Sequence, residues 1–359
     1  MTAPTPVATA DAMSDALERL SDHAFTDDPG LATHGPMGAE ALATSGFVDE
    51  VPQWVEQYKA RHAALPAPPA VERLDPAERA SWTAALGDER RLTDWSEMFG
   101  RQLREQPWQD TLATWVPVLI SGYGGAMTHG LIRTAHAVRS LATTPTPSDV
   151  LIDELAAGLA YWAGSYKELP GRPTLGGDLS LPDAIAALPR PTEAWNPMEA
   201  GRFARLPELP DFAGAVEALA APTTIDTALS DLSEAFAQML VTSPQAVPIG
   251  LVHALTPIAG ARRLVPYVPS LTTERLYAQL WHVNAAIAVG FVHRPNTSTA
   301  GPGSEVQPPQ PDELASRAAE HGDPHVIKYT EAAVAEHRLR PAPSYLQAAA
   351  QLIAATPAW

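Results

Sequence analysis

The chain carries 36 prolines, and most fall between segments whose apolar residues recur at helical spacing. Proline inside a helix removes a hydrogen bond and clashes with the preceding turn, so it is best tolerated at starts and connections. This punctuation predicts many medium helices joined by stiff turns. Periodicity places helices over residues 88–104, 127–142, 148–166, 224–241, 272–292 and 324–337. In 148–166, Val150, Leu151, Leu155, Leu159 and Trp162 recur on one face. Thr93, Ser148, Asp226 and Asp323 are the expected helix caps. Val and Ile are not gathered into short alternating runs, so strands should be few. No fixed repeat period appears. The expected fold is all-α: a loose tail over 1–10, one large helical domain over 11–359, and a mobile loop at about 294–312, rich in Ser, Thr, Gly and Pro.

Composition narrows the function. With 359 residues, 45% of them hydrophobic, the chain can bury a large core. A formal charge of −17 argues against nucleic acid, which selects clustered Lys and Arg, and against docking on anionic membranes. There are no cysteines, so any metal must be held by nitrogen and oxygen ligands. Residues 1–10 lack the basic and apolar regions of a signal peptide. The apolar stretch 112–127 is broken by Pro117, three glycines and Ser121, and is no membrane span. A cytoplasmic protein is expected.

The candidate chemistry is carried by histidines and one lysine. Only three lysines occur, Lys59, Lys167 and Lys328. Lys328 follows His325 by one helical turn in Asp323-Pro324-His325-Val326-Ile327-Lys328, where Asp323 and Pro324 mark a helix start. His325 and Lys328 therefore share a face. Lys328 is either an ordinary solvent-facing lysine or, if buried beside a metal, an amine with lowered proton affinity; such an amine can take up CO2 and become an anionic carbamate. His34, His129 and His253 are further candidates, each with a plain structural alternative. His34 can be a loop residue near a cap. His129 lies among small residues that permit close approach. His253, in an apolar run, needs a hydrogen bond or a metal if buried. His136 is two turns beyond His129, about 10.5 Å along the axis, too far to share its ion. His282 is the main rival ligand. His321 should face elsewhere, and His23, His62, His293 and His337 should be exposed. Trp115, Tyr161, Trp162, Tyr166, Trp281 and Phe291 are either core or walls for a flat ligand. Arg133 is either an anion anchor or half of an ion pair with a neighbouring helix.

Taken in order, several segments resemble the questin oxidase-like family: His34-Gly35-Pro36-Met37, then 128–133 (THGLIR), 155–163 (LAAGLAYWA), 251–256 (LVHALT) and 325–332 (HVIKYTEA). The likeness spans about residues 25–354. Pro257 interrupts the 254–260 segment, and the 296–310 loop is this chain's own. The resemblance implies a mostly helical fold and oxidative C–C cleavage, Baeyer–Villiger-like, of an anthraquinone-type aromatic polyketide with O2. It also implies one non-haem Fe(II) held by His34, His129, His253, His325 and a carboxylated Lys328. Five such ligands would leave one octahedral position open. Arg133 then becomes a catalytic anchor, and Trp115, Tyr161, Trp162 and Trp281 the substrate walls. Two other readings stand beside it. One is a metal-free or flavin-dependent Baeyer–Villiger-type oxidase, although the chain has no G-x-G-x-x-G dinucleotide fingerprint. The other is a non-catalytic helical protein that binds polyketides.

Overall fold

A computed structural model describes residues 6–28, 31–191, 202–243, 248–292 and 308–359. Among these residues the fold is all-α, as the sequence predicts; the strands are confined to one two-stranded antiparallel hairpin, β1 (Thr26–Asp27) with β2 (Leu31–Ala32). The chain gathers into two compact units, residues 1–168 with 260–270, and residues 169–259 with 271–359. No helix among the described residues is long and apolar enough to cross a membrane. Of the expected tail, residues 6–10 already form helix. Most of the expected 294–312 loop lies outside the described residues, and its end opens a helix at Pro311.

The first unit contains α1 (Pro6–Arg19), α2 (Gly35–Thr44), α3 (Val51–Arg61), α4 (Arg79–Thr83), α5 (Leu92–Glu105), α6 (Trp108–Leu119), α7 (His129–Ala142) and α8 (Asp149–Gly164). Helix α8 packs against both α5 and α7. The α7–α8 crossing is unusually close because small residues face it from both sides. A Cβ on Gly130 would lie 2.4 Å from Cα of Trp162, and one on Gly158 would lie 3.1 Å from Cα of Thr134. Across this contact the buried Arg133 guanidinium grips Glu154 in a fork, at 2.7 and 2.6 Å. Its remaining arm donates to the Ala24 carbonyl at 2.6 Å. Arg133 is thus half of an interhelical ion pair, the structural alternative of the two that the sequence offers. Trp115 sits edge-on to Trp82, Trp95 and Phe99, and donates to Gln102. It is core, not a ligand wall.

The second unit contains α9 (Leu181–Ala187), α10 (Phe212–Glu217), α11 (Ile225–Thr242), α12 (Pro248–Leu264, of which the first unit takes residues from Gly260 on), α13 (Thr273–Phe291), α14 (Pro311–His321), α15 (Pro324–Leu339) and α16 (Pro343–Ala355). A buried junction ties α11, α15 and α16: Ser233 donates to Glu336 at 2.8 Å and lies 2.6 Å from the Tyr345 hydroxyl. Trp281 is fully buried and donates to the Val216 carbonyl, so it too is core. Helix α12 runs through Pro257, where the sequence suggests an interruption. Proline leaves the carbonyl four residues earlier without its usual donor. Here that carbonyl is His253's, and next to it Asn284 of α13 donates to the Ala254 carbonyl at 3.1 Å.

Helix starts differ from the sequence reading in a few places. Asp323 caps α15, accepting from the N–H groups of His325 and Val326. Thr93 and Asp226 lie inside the first turns of α5 and α11, and Ser148 precedes α8 without a side-chain cap bond. Helix α7 begins at His129 and not at 127, because the preceding residues are left-handed.

One crowded contact gives a direct test. Gly130→Ala places a methyl against backbone, which cannot swing aside. We expect a loss of about 1–3 kcal/mol in chemical denaturation, the range for overpacked cores.

Candidate metal centre

The first unit brings two histidines together at two helix starts. His34 is the N-cap of α2, and His129 is the first residue of α7. Each ring donates its Nδ1–H to a nearby backbone carbonyl: His34 to Ala32 at 2.6 Å, His129 to Ala126 at 2.6 Å. A carbonyl can only accept, so the tautomer is fixed in both. The Nε2 lone pairs point outward and meet 3.0 Å apart, with the rings edge to face. Two lone pairs at that distance repel unless a proton or a metal ion lies against them.

Local backbone strain sets the second of these rings. Ala126, Met127 and Thr128 have φ of 43°, 52° and 67° in succession. A left-handed residue other than glycine costs about 1–2 kcal/mol. The run turns the Ala126 carbonyl under His129. It is held where Gly125 presses on the Ser165 carbonyl, so closely that a Cβ would fall 1.5 Å from the oxygen.

The second unit supplies His253 on α12 and His325 on α15, with ring centres 5.7 Å apart. His253 repeats the same device, donating Nδ1–H to Ile249 at 2.7 Å. His325 Nδ1 lies 3.5 Å from an Asp323 carboxylate oxygen. Burial pushes Asp323 up, but its bonds to His325 and to the first N–H groups of α15 outweigh that and hold it below the usual carboxylate range. Lys328 is fully buried, 1% exposed, which excludes the solvent-facing alternative. Burial pushes its ammonium down to about 7. Burial therefore favours the neutral amine over the ammonium.

His34 and His129 of the first unit, with His253 and His325 of the second, are a set of histidines that could hold a metal ion. Four imidazoles without thiolate suit Fe, Zn, Cu or Ni ions. Ring nitrogens bound through Nε2, with Nδ1–H on a carbonyl, are the usual outer-shell arrangement of metal histidines.

The other candidates fall away from this group. His282 donates its Nε2–H to the Pro170 carbonyl, 2.8 Å away, and faces Phe212. His321 contacts the Thr356 carbonyl, as a residue facing elsewhere should. His136 is buried on a Glu40 carboxylate oxygen at 2.6 Å. His23 is a correction: expected to be exposed, it is 2% exposed and bonded to Asp27 at 2.7 Å. His62 and His337 are half-buried, and His293 lies outside the described residues. Tyr161 and Trp162 are buried in α8, where burial pushes the Tyr161 phenol up; Trp162 packs on Gly130, next to His129, and its indole N–H has no partner among the described residues. Tyr166 bonds Glu168, and Phe291 packs on Gly250.

Sequence reasoning missed Glu40. This buried carboxylate on α2 accepts from His136 and Arg139 of α7, locking together the two helices that begin at His34 and His129. Its signal was a lone charge in the otherwise small and apolar 35–44 segment. Burial pushes Glu40 up, yet Arg139 and His136 outweigh it and hold the carboxyl far below its usual range. Burial also lowers His136, from 6.5 to about 4.

No protein-family profile matches this chain, and no curated protein matches it.

Two outcomes follow from the geometry. His136 stays neutral in the folded protein at a pH where the unfolded chain has taken up a proton. Stability is therefore expected to fall as pH drops from 6.5 to about 4, and His136→Gln should flatten that slope in denaturation curves collected across this range. Ala126→Gly removes left-handed strain and should raise stability by up to about 1 kcal/mol, while loosening the His129 ring and weakening metal retention.

Proposed function

We propose that this chain is a non-haem iron oxygenase, and that it opens the ring of an anthraquinone-type aromatic polyketide by Baeyer–Villiger-like C–C cleavage. The observation that carries the metal part is the pair of Nε2 lone pairs facing each other at 3.0 Å, each fixed by an Nδ1–H bond to a carbonyl. Substrate class rests on the ordered resemblance of the segments around His34, His129, His253 and His325 to questin oxidase-like proteins. When bound, Fe(II) supplies O2 binding and Lewis acidity.

The chain's own residues do the rest. His34, His129, His253 and His325 hold the ion through nitrogen. Lys328 would supply a fifth ligand if its neutral amine added CO2, giving a carbamate anion and releasing one proton; its burial favours the amine over the ammonium and supports this role. Fixed imidazoles hold no proton on Nε2, so protons compete directly with the ion, and acid should release it. Arg133, Trp115 and Trp281 are buried and bonded to other residues of the chain, which favours a structural part for them over substrate binding. Tyr161 and Trp162 remain the aromatic candidates nearest in sequence to the α7 contact.

Protein purified without chelator is expected to carry one iron per chain by elemental analysis and to consume O2 with an anthraquinone. His325→Ala should lose both the iron and the O2 uptake while keeping its helical circular dichroism. Iron-free, yellow protein that still cleaves the quinone would overturn the iron reading in favour of a flavin.

A further inference from the structure

One buried network near the metal ligands has no place in the chemistry above. It joins His23, Asp27 and Tyr58, which are 2%, 2% and 1% exposed. We infer that Tyr58 is a positioning residue for His34, and that Asp27 and His23 fix Tyr58. This inference rests on reading His34 as a metal ligand.

The geometry closes a loop. Tyr58, on α3, accepts the His34 backbone N–H on its hydroxyl at 2.7 Å and donates its own proton to Asp27. Asp27 belongs to β1, whose neighbour Thr26 pairs with Ala32 of β2. The Ala32 carbonyl is the acceptor for His34 Nδ1–H. The backbone of His34 and its ring are therefore both referred to the same phenol, one directly and one through the hairpin. Asp27 accepts a second bond, from His23 Nδ1–H at 2.7 Å. A buried carboxylate requires such donors, and two of them leave the Tyr58 hydroxyl with one preferred rotor position.

Close contact adds to the polar bonds. A Cβ on Gly35, the residue after the ligand, would lie 3.0 Å from the Tyr58 ring and 2.9 Å from Leu20. Only the absence of a side chain lets the ring press on the backbone there. A tyrosine serving only the core would need none of this register with His34; phenylalanine would fill the same space.

The test uses Tyr58→Phe in the full chain with Co(II) as probe. Two readouts are taken: Co(II) affinity with its visible absorption bands, and the His34 Nδ1–H signal in metal-free protein labelled with 15N-histidine, assigned by His34→Gln. We expect Tyr58→Phe to stay helical, to bind Co(II) about 10–100-fold more weakly, as outer-shell partners do when removed, with altered bands. The His34 Nδ1–H signal should broaden or vanish. Unchanged affinity together with an unchanged signal overturns the inference. If the wild type takes up no Co(II), the metal reading fails, and the His34 signal alone decides: retained in Tyr58→Phe, it refutes positioning; lost, it supports it. Should the single exchange fail to fold, Asp27→Asn with Tyr58→Phe removes the buried charge along with its donor and carries the same test.

Discussion

The bond from an imidazole Nδ1–H to a backbone carbonyl is the interaction on which the candidate centre depends. It occurs at His34, His129 and His253, and in each case the carbonyl lies two to four residues earlier in the chain. A bond so local costs little loop entropy and survives modest shifts elsewhere. It decides the tautomer before any ion arrives. Without it, each ring would choose between two protonation patterns and two flips, and a cation would have to select one combination in four rings at once.

Helix starts make this economy possible. A residue at or just before a first turn has, two or three positions earlier, a carbonyl that precedes the i to i+4 ladder, and its second lone pair can accept from a side chain. His34 and His129 sit at such points, and the close crossing of α7 with α8 fixes the second of them. Gly130 and Gly158 allow that crossing, the Arg133–Glu154 pair sets its register, and the left-handed run ahead of His129 absorbs the mismatch. Strain of this kind persists only where surrounding contacts over-determine it. Glu40 performs the matching service between α2 and α7.

Much of this was legible in the sequence, for definite reasons. Helical periodicity and proline punctuation gave the fold class. Helices α5, α7, α8, α11, α13 and α15 were found within a few residues, because long amphipathic segments carry a strong signal. The Asp323-Pro324 start was readable since capping is a local matter. The histidines of the candidate centre are those in small or apolar stretches of the sequence. What stayed hidden depends on partners remote in sequence. Arg133 turns to Glu154, 21 residues away, and His23 to Asp27, which Tyr58 also bonds. Trp115 and Trp281 read equally well as core or as pocket wall, and only their partners decide. The left-handed residues 126–128 carry no glycine signal of their own, so α7 appeared to begin two residues early.

The common start of α2 and α7 at the histidine pair has an electrostatic consequence. Each helix presents the positive end of its dipole there, about half an elementary charge. Such ends attract anions and are indifferent or hostile to a bare cation. An ion seated on these imidazoles is therefore favoured most when an anionic companion sits beside it, and any exchange that strips the companion away should loosen the ion as well.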